Sequence, residues 1–346
     1  MTLQNEKTPN RCLTTKSGAK YRLPLFLPVY EHKAPFISIE ELKRDFAVEG
    51  IITNAFLLYK DRPIHNRLIG QEDIKKFYGF DGLIVTDSGA FQGFQRPLLL
   101  SNKKIIAFQQ DIGADVVSPL DVVTPPGENS TTAQKKMLST LKRVREGLDI
   151  VRKCTLIGVQ QGGRFLELRK KAIEILVTMG VEYIALGSLV PFFNRNHDIS
   201  FVCNAIYDAR KIVPPEIPVH VYGAGDPLEI PFYTAFGADI FDSSSFAHYA
   251  RDGWFMTPYG AVKERSIMDE MGEECSSHYI ENVEAVDEKI LARHNLHIIM
   301  LTFAKVRKAL KEGRIFEYLN RIVDINSRLF PNSKLKSSFE KIAEKL

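Results

Sequence analysis

Eight short apolar or β-branched runs alternate with helical patterns along this chain, and that rhythm restricts its folds more than any other feature. The runs fall at residues 25–29, 50–53, 82–86, 115–119, 155–160, 182–186, 219–222 and 239–241. Between them, residues 38–46, 71–77, 103–112, 131–152, 164–179, 199–212 and 227–236 read as helices, several with apolar residues at i, i+3 or i+4. A strand–helix unit repeated eight times points to an α/β chain closed into a (β/α)8 TIM barrel. A doubly wound sheet is the competing arrangement. It is disfavoured because neither a Gly-rich dinucleotide fingerprint nor a phosphate-cradling P-loop is present. Residues 1–260 are expected to form the catalytic barrel, and residues 261–346 a small C-terminal subdomain with a basic helical tail.

Barrels of this kind place their chemistry on loops at the C-terminal ends of the strands. The reactive residues fall there repeatedly. The third run ends in Asp87 and Ser88, the fourth in Asp121, the fifth in Gln160 and Gln161, the sixth in Ser188 and Leu189, the seventh in Tyr222 and the eighth in Asp242. Each Asp alone fits a helix N-cap or an Asx turn. Three together, beside glycines and an amide, point to a common cleft. Paired carboxylates suit glycosyl chemistry, one meeting an anomeric carbon while another handles the leaving group's proton. Phe91 offers either a stacking face for a planar base or an ordinary core aromatic, and Asp121 and Gln161 offer partners for ring N–H and carbonyl groups.

Composition excludes several classes. No apolar stretch approaches the length of a membrane span, and the polar N-terminus carries no secretion signal. Four widely separated cysteines argue against a disulfide framework, so a soluble protein of the reducing cytoplasm is expected. The net charge of +4 is unevenly spread, because residues 300–346 hold 11 Lys or Arg against 5 Asp or Glu. The 131–153 stretch adds seven more cations. Such clusters can neutralise phosphates, although solvated helix faces look the same in sequence.

Seven ordered stretches, "TDSGAFQ", "SPLDVVTPP", "GVQQGG", "YIALGSLVP", "HVYGAGDP", "ADIFDSSSFAHYARDG" and "ARHNLH", resemble the signatures of the tRNA-guanine transglycosylases, most closely the archaeal type. The likeness runs from about Leu25 to Phe316. It implies a pentosyltransferase that exchanges a guanine in a polynucleotide for a free 7-deazaguanine such as preQ0, without cutting the strand or using an organic cofactor. By motif, Asp242 is implied as the nucleophile and Asp87 as the general acid/base. Ser88, Phe91, Asp121, Gln161, Ser188, Leu189 and Tyr222 are implied as the base site, with Phe91 and Tyr222 as opposed stacking faces.

The metal motif departs from the family. Where the family has Cys-x-Cys-x-x-Cys and a later histidine, Glu273, Cys275, His278 and His294 occupy the matching positions, with His297 a substitute for His294. All four types can bind Zn2+, so either a substituted structural zinc site is present or the site has been lost. The archaeal-like core, short C-terminal region and altered metal run together resemble the family's DNA-modifying branch. DNA is therefore the expected nucleic-acid target, with tRNA as the alternative. A homodimer or an accessory protein is compatible with the sequence. The remaining readings are a catalytically silent nucleic-acid-binding paralogue, which has no use for three convergent acids, and a nucleoside or sugar glycosidase, which has no use for the basic tail.

Overall fold

The computed structural model describes residues 11–70, 73–90, 100–193, 198–281, 283 and 285–346, and of Glu273 only the backbone. An antiparallel hairpin, β1 (Cys12–Thr14) and β2 (Lys20–Arg22), leads into β3 (Leu25–Pro28). The parallel strands β4 (Gly50–Asn54), β5 (Leu83–Asp87), β6 (Val116–Val117) and β7 (Thr155–Leu156) pair in that order. The second parallel set is β3, β11 (Ile240–Ser243), β10 (Val219–Val221), β9 (Ile184–Leu186) and β8 (Gly158–Gln160).

Two seams join the sets into a closed ring of eight staves. β7 and β8 are one stave interrupted at Ile157, whose N–H still donates to the Val117 carbonyl at 2.9 Å, while the next N–H, of Gly158, donates to Tyr183 at 2.8 Å. On the opposite side Val29 bridges Ile52, and the Tyr30 N–H donates to the Ile52 carbonyl at 2.8 Å. The architecture is the (β/α)8 barrel read from the strand–helix rhythm.

Period-two alternation explains why the strands are apolar throughout, since each stave is buried on both faces. Leu25, Leu27, Leu83, Val85, Val159, Ala185 and Ile240 fill the interior. Their neighbours Phe26, Ile84, Ile184 and Phe241 face the helices instead. Leu13 and Tyr21 of the hairpin join the interior cluster, so a segment absent from the sequence reading contributes to the barrel's own core.

Most of the expected helices form with shorter bounds, among them Ile39–Arg44, Ile74–Tyr78, Ser130–Leu148 and Leu166–Thr178, while Ile199–Ile212 keeps the expected ones. Side-chain caps fix their starts: Ser38 and Glu41 make a reciprocal capping box, and Asn129 accepts the Thr132 N–H. Two helices, Ala55–Lys60 and Arg62–Gly70, were not anticipated. The first begins directly on a strand end, where Asn54 caps the Leu57 N–H at 3.0 Å.

The long helix Glu288–Lys311 packs against the helix Ser245–Arg251 and against β3. Its Phe303 ring lies 5.6 Å from Phe26 and 5.4 Å from Phe241, touching the first and last staves together. Arg307 on the same helix donates to the carbonyls of Pro24 at 2.9 Å and Arg22 at 3.2 Å, and pairs with Glu49. Much of the tail's positive charge is therefore used internally. Lys305 and Arg321 both reach Glu274, which also accepts from the Tyr259 hydroxyl.

Phe303 is 2% exposed, so Phe303→Ala leaves a cavity at the barrel seam. The expected loss is about 3–5 kcal/mol of unfolding free energy, read from urea denaturation, against near-neutral substitution of an exposed tail residue such as Lys336.

Candidate active site

Parallel pairing brings the strand ends to one rim, and three carboxylates stand on it. Asp87 closes β5 opposite Asn54 of β4, whose side-chain amide donates to Asp87 Oδ2 at 3.3 Å. Asn54 thus caps a helix with its oxygen and holds an acid with its nitrogen. Asp242 lies in β11, with Oδ1 accepting the Gly223 N–H at 3.2 Å. Asp121 follows β6 and accepts from the Gln161 amide at 2.5 Å.

The electrostatics show that these acids share a field. Burial pushes the Asp87 pKa up to about 7, and the charges of Asp121 and Asp242 push the same way against the backbone N–H groups of Gly89 and Ser88. Burial also raises Asp121, opposed by its Gln161 hydrogen bond and by Arg143. Asp87, Asp121 and Asp242 all act on the Tyr222 hydroxyl, which burial already holds well above the usual tyrosine range. That hydroxyl and Ser88 Oγ are buried without a hydrogen-bond partner among the described residues. Buried polar atoms of this kind mark a surface that a polar ligand completes.

A shelf beside the acids is built from the loops after β8 and β9. Ser188 Oγ donates to Gln161 Oε1 at 2.6 Å and accepts the Thr124 N–H at 2.9 Å. Gln161 is thereby held at both ends, its amide committed to Asp121. Ser188 sits at φ +56°, an uncommon conformation for a residue with a side chain. Gly187 is required by close approach, since a Cβ there would lie 2.5 Å from Gln161 Nε2. Leu189 is buried and its carbonyl closes the turn to Phe192. The N–H groups of Ser188 and Leu189 donate to no other backbone group among the described residues.

The sequence reading missed Arg169. The residue is 1% exposed, and its guanidinium donates to Gly163 O at 2.7 Å, Gln160 Oε1 at 2.9 Å, Gly187 O at 3.0 Å and Ser188 O at 3.4 Å. Burial lowers its pKa to about 9, which leaves it charged at neutral pH. One cation therefore ties the fifth and sixth rim loops together. Its signal in sequence, an Arg inside "LELRKKA", is that of a solvated helix face.

The queuine tRNA-ribosyltransferase family model matches residues 11–328. The chain belongs to that family. It is 31% identical over 335 residues to the tRNA-guanine(15) transglycosylase of Pyrococcus furiosus, covering 95% of this chain and 56% of that protein. The enzymes of the same name from Methanopyrus kandleri and Methanosarcina mazei are 30% and 29% identical, with 69% and 67% of their lengths covered. The share of such relatives' length that the chain spans runs from 50% to 78%, and is 56% for the Pyrococcus furiosus protein.

Of the residues implied by this family's pattern, Phe91 lies outside the described residues. Gly89, directly after the Asp87–Ser88 pair, is required by close packing: at φ +82°, a Cβ there would lie 2.3 Å from the Phe56 side chain.

Among the described residues, the metal positions do not assemble into a site. Among the described residues no group of three or more His, Cys, Asp or Glu is placed to hold a metal ion. His294, fully buried, has Nδ1 at 3.0 Å from Ser277 Oγ and Nε2 at 3.1 Å from the Met256 carbonyl, so both ring nitrogens are engaged. Burial lowers its pKa to about 4 and keeps it neutral. Cys275 is buried, its thiol pushed up to about 12 chiefly by burial. His278 faces His297 at 5.7 Å between ring centres and Tyr279 at 3.9 Å. Glu273 contributes no described side chain.

Asp87 generates a pH prediction. The folded chain binds this proton more tightly than an unfolded Asp does, so its contribution to stability is lost as pH rises from the ordinary carboxylate range through about 7. Asp87→Asn should gain stability relative to the parent between pH 5 and pH 8, measured by urea denaturation. In Asp121→Asn the Asp87 carboxyl should titrate lower, as followed by 13C NMR.

Proposed function

We propose that this chain is a guanine transglycosylase that exchanges a guanine of tRNA for a free 7-deazaguanine base. The observation that carries this reading is the pairing of two unlike acids on one rim. Asp87 holds its proton up to about pH 7, while Asp242 Oδ1 accepts the Gly223 N–H and Oδ2 accepts no hydrogen bond among the described residues. A proton-holding acid beside a second acid with one open oxygen suits a general acid and a nucleophile in the same cleft.

In this mechanism Asp242 attacks C1′ of the target nucleotide. The C1′–N9 bond breaks as a C1′–O bond to Asp242 forms, and Asp87 passes its proton to the departing guanine. The incoming 7-deazaguanine returns a proton to Asp87 and takes C1′ back from Asp242. Two displacements retain the anomeric configuration, and the stored ester spares any need for ATP. Asp121 and Gln161 read the base edge, and the free N–H groups of Ser188 and Leu189 meet its carbonyl oxygen. Ser88 Oγ and the Tyr222 hydroxyl gain partners when the base arrives.

The sequence reading favoured DNA over tRNA. The named relatives support the tRNA alternative, and no observation in the structure favours DNA. We also propose that the chain folds without the family's zinc, because the side chains available for it are engaged with Ser277, Met256 and Tyr279. Elemental analysis of the purified protein should find well under one zinc per chain, and a full equivalent would overturn this.

Incubation with labelled guanine or preQ0 and either tRNA or duplex DNA tests the substrate assignment. Label should enter tRNA alone; entry into DNA alone, or into neither, contradicts the reading. Asp242→Asn should retain the fold by circular dichroism and lose exchange by at least about a thousandfold, since an amide is nearly isosteric and a poor nucleophile.

A further inference from the structure

We infer that His220 and Tyr183 form a buried relay that orients the Asp242 carboxylate and selects Oδ2 as its reacting oxygen. The inference rests on the nucleophile assignment made above and adds two positioning residues to it. His220 is fully buried on β10, one stave away from Asp242 on β11, with its Nε2 at 2.8 Å from Asp242 Oδ1. Its Nδ1 lies 3.0 Å from the hydroxyl of Tyr183, itself fully buried beside β9. The three groups thus run across three adjacent staves.

The proton positions along this line follow from elementary constraints. Burial holds the Tyr183 hydroxyl well above the usual tyrosine range, with the charges of Asp242 and Asp239 acting in the same direction, so it keeps its hydrogen. A buried hydroxyl hydrogen requires an acceptor, and His220 Nδ1 is the one Tyr183 has among the described residues. Accepting that hydrogen leaves the other ring nitrogen as the N–H. The second contact agrees independently: a lone pair at 2.8 Å from a carboxylate oxygen would repel it, whereas an N–H attracts it. His220 is therefore the Nε2–H tautomer.

Oδ1 of Asp242 then faces two N–H groups, those of His220 and Gly223, while Oδ2 accepts no hydrogen bond among the described residues. Only the oxygen without donors keeps its full basicity toward C1′. The His220 contact is out of line for a hydrogen bond, and Nε2 has no other partner among the described residues. Catalytic hydrogen bonds commonly tighten only when substrate is bound. A small rotation of the carboxylate as Oδ2 advances on C1′ would align Nε2–H with Oδ1. Once the ester forms, Oδ1 is its carbonyl oxygen, and the same two donors favour its return to a carboxylate when the second base takes the sugar. The arrangement therefore assists both displacements without transferring a proton.

Three variants in the full chain test this: Tyr183→Phe, His220→Gln, whose amide can still donate toward Oδ1, and His220→Leu, which cannot. The expected results are a drop in kcat of about tenfold or more for His220→Leu, partial recovery in His220→Gln and an intermediate loss in Tyr183→Phe. The loss should fall on kcat more than on KM for the free base, because none of the three touches Gln161, Ser188 or Leu189 and His220 meets the base site only through the Tyr222 ring, at 4.8 Å. Formation of the covalent RNA adduct, followed on denaturing gels, should slow in the same order. In the unsubstituted protein 15N NMR should show His220 as the Nε2–H tautomer, and a mixture in Tyr183→Phe. Wild-type kcat in a folded His220→Leu, equal losses in the Gln and Leu variants that track thermal stability, or an Nδ1–H tautomer in the parent would each overturn the relay. Absence of exchange by the parent protein would instead sink the proposed function, leaving the tautomer result to judge the relay.

Discussion

Closure of the ring is the constraint on which the site depends. Parallel staves in fixed register bring their C-terminal ends to one level, so Asp242 beside Leu27 and Asp87 beside Asn54 reach the same rim from opposite regions of the sequence. The ring is thinly bonded at two places, the interruption at Ile157 and the single bridge from Val29 to Ile52. The helix Glu288–Lys311 lies over the first and last staves, and Phe303 fills the space between Phe26 and Phe241. A C-terminal element thus secures the geometry of a rim to which it contributes no acid.

The strands were legible in the sequence because burial on both faces leaves an uninterrupted apolar run, and the acids because each directly follows one. The elements that escaped notice are short and owe their existence to tertiary contacts. The hairpin β1–β2 supplies only Leu13 and Tyr21 to the interior, and Ala55–Lys60 depends on the Asn54 cap. His220 escaped because "VHV" reads as the middle of a strand and gives no hint that an imidazole sits within reach of a neighbouring stave's carboxylate. Arg169 escaped because helical cations are usually solvated. The metal motif left both outcomes open for the converse reason: spacing shows which ligand types are near in sequence, and not that Ser277 and the Met256 carbonyl engage the His294 ring. "ARHNLH" carries structural information of another kind, since Asn295 joins the Phe246, Trp254 and Met256 backbones to the long helix.

Positive charge shows the same limit of sequence reading. The basic tail looked like a surface for phosphates, yet Lys305, Arg307 and Arg321 bind Glu274, Glu49 and backbone carbonyls. Exposed cations remain on the helix Ser130–Leu148, which follows the Asp121 loop and carries Lys135, Lys142 and Arg145 toward solvent. The same helix meets the Asp121 loop directly, where Arg143 donates to the Leu120 carbonyl at 2.9 Å.

Arg169 has a further implication for how the cleft behaves through a cycle. Its partners are carbonyl and amide oxygens, groups with no acid–base chemistry near neutrality, and it remains a cation well above the range in which Asp87 gains and loses its proton. The shelf that Arg169 braces is therefore insulated from the titration of Asp87 on the same rim. Acidity can change the charge of the rim while the loops after the fifth and sixth staves keep their shape.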